Sequence, residues 1–309
     1  MWSDRVILGT AELGTDGREH AFDLLDEYVR LGGRSIDSAA VYSDWVPGEA
    51  GRSETVIGEW LKRRGRRDDL AIITKGAHPP LGHMDQPRCD EASIRHDVEQ
   101  SLRRLGIEQI DLWYLHRDDP ARPVAEIVGV LQALEREGKI ARFGCSNWTG
   151  PRIEAAKALP GPTFASTQVL GNAFCRIMNP LADKTCVVLD APAFHQAVTH
   201  RMSLFLYSST ANGFFERRGN GLAPHRLYAN TACAEAAISL DALAAELGIH
   251  PGNMIVAFML QLAPQVRTIV GSRTAEQLRP VWKGGDTVLP AEAVHRIAGI
   301  TGMADFLAA

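Results

Sequence analysis

Short apolar runs rich in β-branched and aromatic residues alternate along this chain with longer stretches in which apolar residues recur every three or four positions. The runs predict eight strands, at 6–8, 35–36, 70–74, 110–115, 141–145, 165–169, 203–207 and 268–270. Between them, three sets of residues fall on single helical faces that can pack on a sheet: Phe22, Leu25, Tyr28 and Val29; Val56, Ile57, Trp60 and Leu61; Ile94, Val98, Leu102 and Leu105. Gly32-Gly33, Gly106 and Gly138 close the first, third and fourth helices.

Strict alternation of strand and helix predicts an α/β fold with a parallel sheet. Eight such units suit a closed (β/α)8 TIM barrel, running as one domain over 1–309, better than an open doubly wound sheet. No G-x-G-x-x-G follows the first strand, which disfavours a Rossmann dinucleotide domain. The stretch 208–227 is expected to be an active-site loop over the barrel mouth, and 289–309 one more helix and a tail.

Composition narrows the function. With 309 residues, 45% of them hydrophobic, the chain can bury a large core without disulfides or metal. A net charge of -4 offers no general attraction for nucleic acid or an anionic membrane surface, so neither partner is expected. The basic run at 62–67 reads as a solvated helix C-terminus. Five widely spaced cysteines form no CxxC pair and no zinc-like cluster, which predicts free thiols and no metal. With no apolar leader and no run approaching the ~20 apolar residues of a membrane span, the expected location is the cytoplasm. Composition leaves the oligomeric state open.

In a barrel of this kind, catalytic groups sit where strands end at the C-terminal face. Asp37 ends the second strand, Tyr42 follows it, Lys75 ends the third and His116 ends the fourth. A carboxylate, phenol, ammonium and imidazole converging there form a proton-transfer set for a carbonyl whose oxygen becomes negative. Tyr42 is the acid in this reading. Lowering its pKa from about 10 by two or three units requires roughly 3–4 kcal/mol, which the Lys75 cation is expected to supply. Taken singly each residue has a plainer explanation: a turn aspartate, a packed aromatic, a strand-end charge, a core histidine. Trp45, Trp148 and the Phe214-Phe215 pair are expected to line the mouth as substrate-binding aromatics.

The chain resembles the aldo-keto reductases. The resemblance is carried by Ser35-Ile36-Asp37-Ser38-Ala39 with Tyr42, Ile72-Ile73-Thr74-Lys75, Asp111-Leu112-Trp113-Tyr114-Leu115-His116, Gly144-Cys145-Ser146-Asn147, Gln168, Tyr207-Ser208 and Ile269-Val270-Gly271-Ser272-Arg273 before Gln277-Leu278. It implies a tetrad of Asp37, Tyr42, Lys75 and His116, an NADPH cofactor and a small-molecule carbonyl or alcohol substrate. It further implies that Ser146, Asn147 and Gln168 hold the nicotinamide carboxamide, that Tyr207 stacks on its ring, and that Ser208 and Ser209 lie along the pyrophosphate. Gly271, Ser272 and Arg273 would face the adenosine phosphate, with Gln277 beside them. A turn with free backbone N–H groups, a hydroxyl and a guanidinium independently suits a 2′-phosphate, so NADP is preferred over NAD.

The sequence departs from the family pattern in three places. The first strand begins without the family's N-terminal hairpin, Pro280-Val281 stands where the family often has Glu-Asn near the adenine, and 175–191 is longer than a minimal connection. The leading reading is an NADPH-dependent reductase of aldehydes or ketones. Its alternatives are a nicotinamide-binding regulatory or sensor module with little turnover, and a barrel lyase or isomerase for a phosphorylated substrate.

Overall fold

The computed structural model describes residues 4–307. Eight parallel strands close into a barrel in chain order: β1 (Val6–Gly9), β2 (Ser35–Asp37), β3 (Ala71–Gly76), β4 (Leu112–Leu115), β5 (Phe143–Ser146), β6 (Ser166–Leu170), β7 (Ser203–Tyr207) and β8 (Val266–Val270), which returns to β1. Every run expected from the sequence becomes a strand, with ends shifted by a residue or two. Six of the connections carry α1 (Arg18–Arg30), α2 (Arg52–Arg64), α3 (Glu91–Leu105), α4 (Val124–Arg136), α5 (Gly150–Lys157) and α6 (Ala191–Thr199). Three helices lie between β7 and β8: α7 (Phe214–Gly219), α8 (Thr231–Leu247) and α9 (Pro251–Gln261). After β8 come α10 (Ala275–Asp286) and α11 (Ala291–Thr301).

The stretch 208–227 is therefore no plain loop, since it contains α7 and the start of a short 3-10 turn at Arg226–Tyr228. The sequence pattern places nothing at α9 because Met254-Ile255-Val256-Ala257-Phe258-Met259-Leu260 is apolar without a helical period. The helix is buried all round, packed by α7, α8, α10 and β8, which is where an evenly apolar helix belongs. Among the described residues no single helix is long and apolar enough to cross a membrane; α8 and α9 pass such a test only together and are bent by 91°. The arginines of the basic run, which straddles the C-terminus of α2, meet acids: Arg63 meets Glu19, Arg64 and Arg66 meet Asp69, and Arg67 meets Asp111.

Alternate side chains along a barrel strand face the axis. One set, Ile7, Ile73, Leu112, Tyr114, Phe205 and Ile269, packs as an apolar plug inside the barrel. Gly144 is part of this fit, because a Cβ there would lie 2.6 Å from both Tyr114 Cε1 and Ser166 Oγ. Two residues further along the same inward parity stand Gly9, Lys75, His116, Tyr207 and Gly271. The pairings Gly9 to Asp37 and Ser146 to Gln168 carry the other strands into the same ring. A polar layer thus rests on an apolar one at the C-terminal face. At the opposite end Arg5 and Arg267, with the connection between α9 and β8, line a concavity of about 450 Å³. Arg5 donates to the Leu260 carbonyl there, and Arg267 to those of Pro264 and Val266.

Candidate active site

Lys75 is the centre of the polar layer. Its side chain is fully buried and its ammonium donates to Asp37 Oδ2 at 2.7 Å, to the Ser38 carbonyl at 2.7 Å and to Tyr42 Oη at 3.1 Å. Three protons meet three acceptors. The other Asp37 oxygen accepts from Gln168 Nε2 at 2.9 Å, so the surroundings complement an ionised carboxylate. An ammonium can only donate, so Tyr42 Oη accepts from it and must turn its own proton elsewhere; no acceptor for that proton is found among the described residues. Tyr42 sits in a turn tied to the β1–α1 connection by Ser43, which has φ 70 and whose Oγ donates to the carbonyls of Ala11 and Leu13. His116 completes the set, its ring edge-on to Tyr42 at 5.8 Å and 4.7 Å from His78.

Burial shapes the titration of all four. It presses Lys75 downward, but Asp37 and Tyr42 more than offset this and hold the ammonium above its ordinary value. It lifts Asp37 against the pull of Lys75 and Gln168. The expectation that Lys75 brings Tyr42 down to near neutrality is corrected: burial lifts the phenol, and Lys75 and Arg117 only moderate the rise. The same desolvation, followed by Arg117, His78 and Lys75, holds His116 well below the ordinary imidazole value, and its Nδ1 has no partner among the described residues. His78 is pushed down to about 4. Both imidazoles are neutral at physiological pH, and the phenol is a protonated donor.

From Tyr42 a cleft of about 590 Å³ runs along the ends of β1, β7 and β8 to Arg273 and Gln277. Tyr207 lines its inner end; Ser146, Asn147 and Gln168 are buried outside that lining and reach it through Asn147, which accepts from Tyr207 Oη, and Gln168, which donates to Asp37. Asn147 is in the left-handed region at φ 61, a conformation its short polar side chain tolerates. Its Nδ2 donates to the His116 carbonyl and Ser146 Oγ, while its Oδ1 accepts from Tyr207 Oη at 3.0 Å and Val187 N at 3.0 Å. Ser208, Gly271, Ser272, Arg273 and Gln277 border the outer part. The turn is less open than expected, because the Arg273 N–H already donates to Gln277 Oε1 at 2.9 Å.

Several expected residues lie elsewhere. Ser209 is buried and its Oγ donates to the Ile269 carbonyl at 2.7 Å, so its hydroxyl faces β8 rather than the cleft. Trp148 packs edge-on to Phe164 and is 1% exposed. Phe214 and Phe215, the first residues of α7, are buried against Phe174. None of these three aromatic rings forms the mouth, which corrects that expectation. Trp45 does stand open, 49% exposed with its ring 6.4 Å from Tyr42.

Other contributors were not visible in the sequence. Glu216 on α7 borders the cleft, and neither of its buried carboxylate oxygens has a partner among the described residues. The 175–191 segment clamps the site: Val188 bridges to Leu170 of β6, Val187 N holds Asn147, and Asp183 and Thr185 hold Arg117 beside His116. The run Val187-Val188-Leu189 was the available signal.

A model of the Aldo/keto reductase family matches residues 5–301. Aldo-keto reductase ausK of Aspergillus calidoustus is 29% identical over 289 residues, covering 87% of this chain and 69% of its own. The uncharacterized oxidoreductase YrpG of Bacillus subtilis is 26% identical over 315 residues, covering 96% and 91%. Norsolorinic acid reductase B of Aspergillus parasiticus is 28% identical over 303 residues, covering 92% and 75%. Among solved structures, an aldo-keto reductase from Klebsiella pneumoniae in complex with NADPH shares the fold with a TM-score of 0.73, at 23% identity over 96% of this chain and 90% of that one. The chain belongs to the aldo/keto reductase family, and is an oxidoreductase acting on carbonyl or alcohol groups.

Proposed function

We propose that this protein reduces an aldehyde or ketone with NADPH, or oxidises the matching alcohol or sugar, using Tyr42 as general acid and base. One observation carries the reading. Asp37, Lys75 and Tyr42 form a bonded chain with spacings of 2.7 and 3.1 Å, and the phenol proton is left free.

A bound nicotinamide supplies the hydride. The protein's part is the proton. Tyr42 Oη delivers it to the carbonyl oxygen as that oxygen gains charge, and Lys75 stabilises the phenolate that remains. Asp37 keeps Lys75 charged and fixed. Neutral His116 hydrogen-bonds the substrate oxygen and sets its direction. In the oxidising direction the phenolate takes the proton back.

The chain's own residues fit a phosphorylated dinucleotide. Ser146, Asn147 and Gln168 would serve the carboxamide with hydroxyl and amide groups, Asn147 by giving up part of its present bonding to Tyr207, Val187, Ser146 or the His116 carbonyl, and Tyr207 would give a flat face for the ring. Nothing lies within 4 Å of where a Cβ on Gly271 would be, which leaves room for phosphate before the N-terminus of α10. Arg273 supplies charge, and the unpartnered Glu216 carboxylate suits a donor from the adenosine half. That solved relatives carry NADPH or NADP supports the choice. Trp45 is the aromatic wall for substrate, and the cytoplasm is the proposed location.

A panel of aldehydes and ketones with NADPH and NADH, followed by cofactor absorbance, tests the reading. Turnover with NADPH is expected. Cofactor binding without turnover on any carbonyl would instead favour the sensor reading.

A further inference from the structure

The β8–α10 turn is tied across the cleft to the β1–α1 connection. Arg273 Nη2 lies 2.6 Å from Asp16 Oδ2 and Nη1 lies 3.1 Å from Glu12 Oε2, while His20 on α1 sits 2.8 Å from the Arg273 carbonyl. Glu12, Asp16, His20, Arg273 and Gln277 all border the cleft. The guanidinium is therefore already claimed by two carboxylates. Their joint charge of two matches the roughly −1.5 to −2 that a phosphate monoester carries near neutrality.

We infer that Glu12 and Asp16 are specificity-determining residues that stand in for the cofactor's 2′-phosphate on Arg273. The inference rests on the NADPH reading and deepens it. Binding NADPH exchanges two carboxylates for one phosphate and leaves the His20 contact with the Arg273 carbonyl as the remaining tie between the β1–α1 connection and the β8–α10 turn. NADH has no group to make that exchange, so the tie persists.

The exchange is feasible because all three side chains are about half exposed, so water replaces each contact as it breaks. The displaced acids cannot go far. The connection is pinned by Leu13 N to the Thr10 carbonyl, by both Thr15 N and Thr15 Oγ1 to the Glu12 carbonyl, and by Ser43 Oγ to the Leu13 carbonyl. They remain beside a phosphate of like charge. Lost pairing and residual repulsion both weigh against NADPH, and neither weighs against NADH. Glu12 and Asp16 therefore narrow a preference that Arg273 alone would make wide.

The test is titration of the full chain with NADPH and with NADH, read by quenching of tryptophan fluorescence, for the parent and for Glu12→Gln/Asp16→Asn. Both positions are exposed, so the double variant folds as the parent does. The expected result is NADPH binding tightened by about 10-fold with NADH changed by less than about 2-fold, as removal of like charge predicts. An unchanged NADPH-to-NADH affinity ratio, or equal tightening of both, would overturn the inference while leaving the cofactor reading intact. A parent that binds neither nucleotide would overturn both.

Discussion

Two acid–base pairs stand at opposite ends of one cleft and behave in opposite ways. Lys75 and Asp37 meet at 2.7 Å with side chains 0% and 1% exposed, whereas Arg273 meets Asp16 at 2.6 Å with side chains 50% and 48% exposed. Distance is nearly the same; solvent is not. The inner pair has no water to replace a lost partner, so it is permanent and can hold a phenol in one place. The outer pair can trade its carboxylates for another anion. Burial, more than contact length, separates a fixed ion pair from an exchangeable one.

The largest effect is expected at the inner pair. Lys75→Met would leave the Asp37 carboxylate buried with Gln168 as its remaining side-chain donor, and should cost about 3–5 kcal/mol in urea unfolding. Turnover should be lost as well. Unchanged stability would show that the pair is not a fixed anchor.

At the outer end, Arg273→Ala should weaken NADPH by about 10-fold and NADH by less than about 2-fold in fluorescence titration, because in the proposed mode the guanidinium serves the 2′-phosphate alone. Equal weakening would show that Arg273 serves the whole dinucleotide.

The pH profile sharpens the contrast further. A proton donor must be protonated, a state present below its pKa, and burial has raised that of Tyr42. His116 is lowered and stays neutral. Reduction at saturating substrate should therefore be level from about pH 7 to 9 and fall only above the ordinary phenol value of about 10. A limb near pH 6.5 would mean that His116 titrates in the working range.

The smallest effect is expected at the mouth. Trp45→Ala should raise KM for an aromatic carbonyl a few-fold, about 3- to 10-fold. Trp148→Phe should leave KM unchanged, since Trp148 faces Phe164 and not the cleft.

Much of this was legible in the sequence, for a simple reason. Strand alternation turns a residue's parity into a direction, so Ile73 pointing inward makes Lys75 point inward, and Tyr114 does the same for His116. The polar layer follows from that rule, and the barrel from the eightfold alternation of strand and helix. What escaped the pattern depends on packing between distant segments. Trp148 looked like a mouth residue until Phe164 covered it, and α9 carries no period because every face of it is buried. The Tyr42 shift depends on the balance of burial against one cation, and no sequence reports burial directly. The hold of Glu12 and Asp16 on Arg273 joins residues more than 250 positions apart, beyond any local signal.

The central claim is that the proton passes through Tyr42 Oη. Turnover of Tyr42→Phe at saturating NADPH tests it most directly, with cofactor affinity measured alongside. The expected result is a loss of about 10²- to 10⁴-fold in kcat with affinity within about 2-fold of the parent. Turnover comparable to the parent would contradict it.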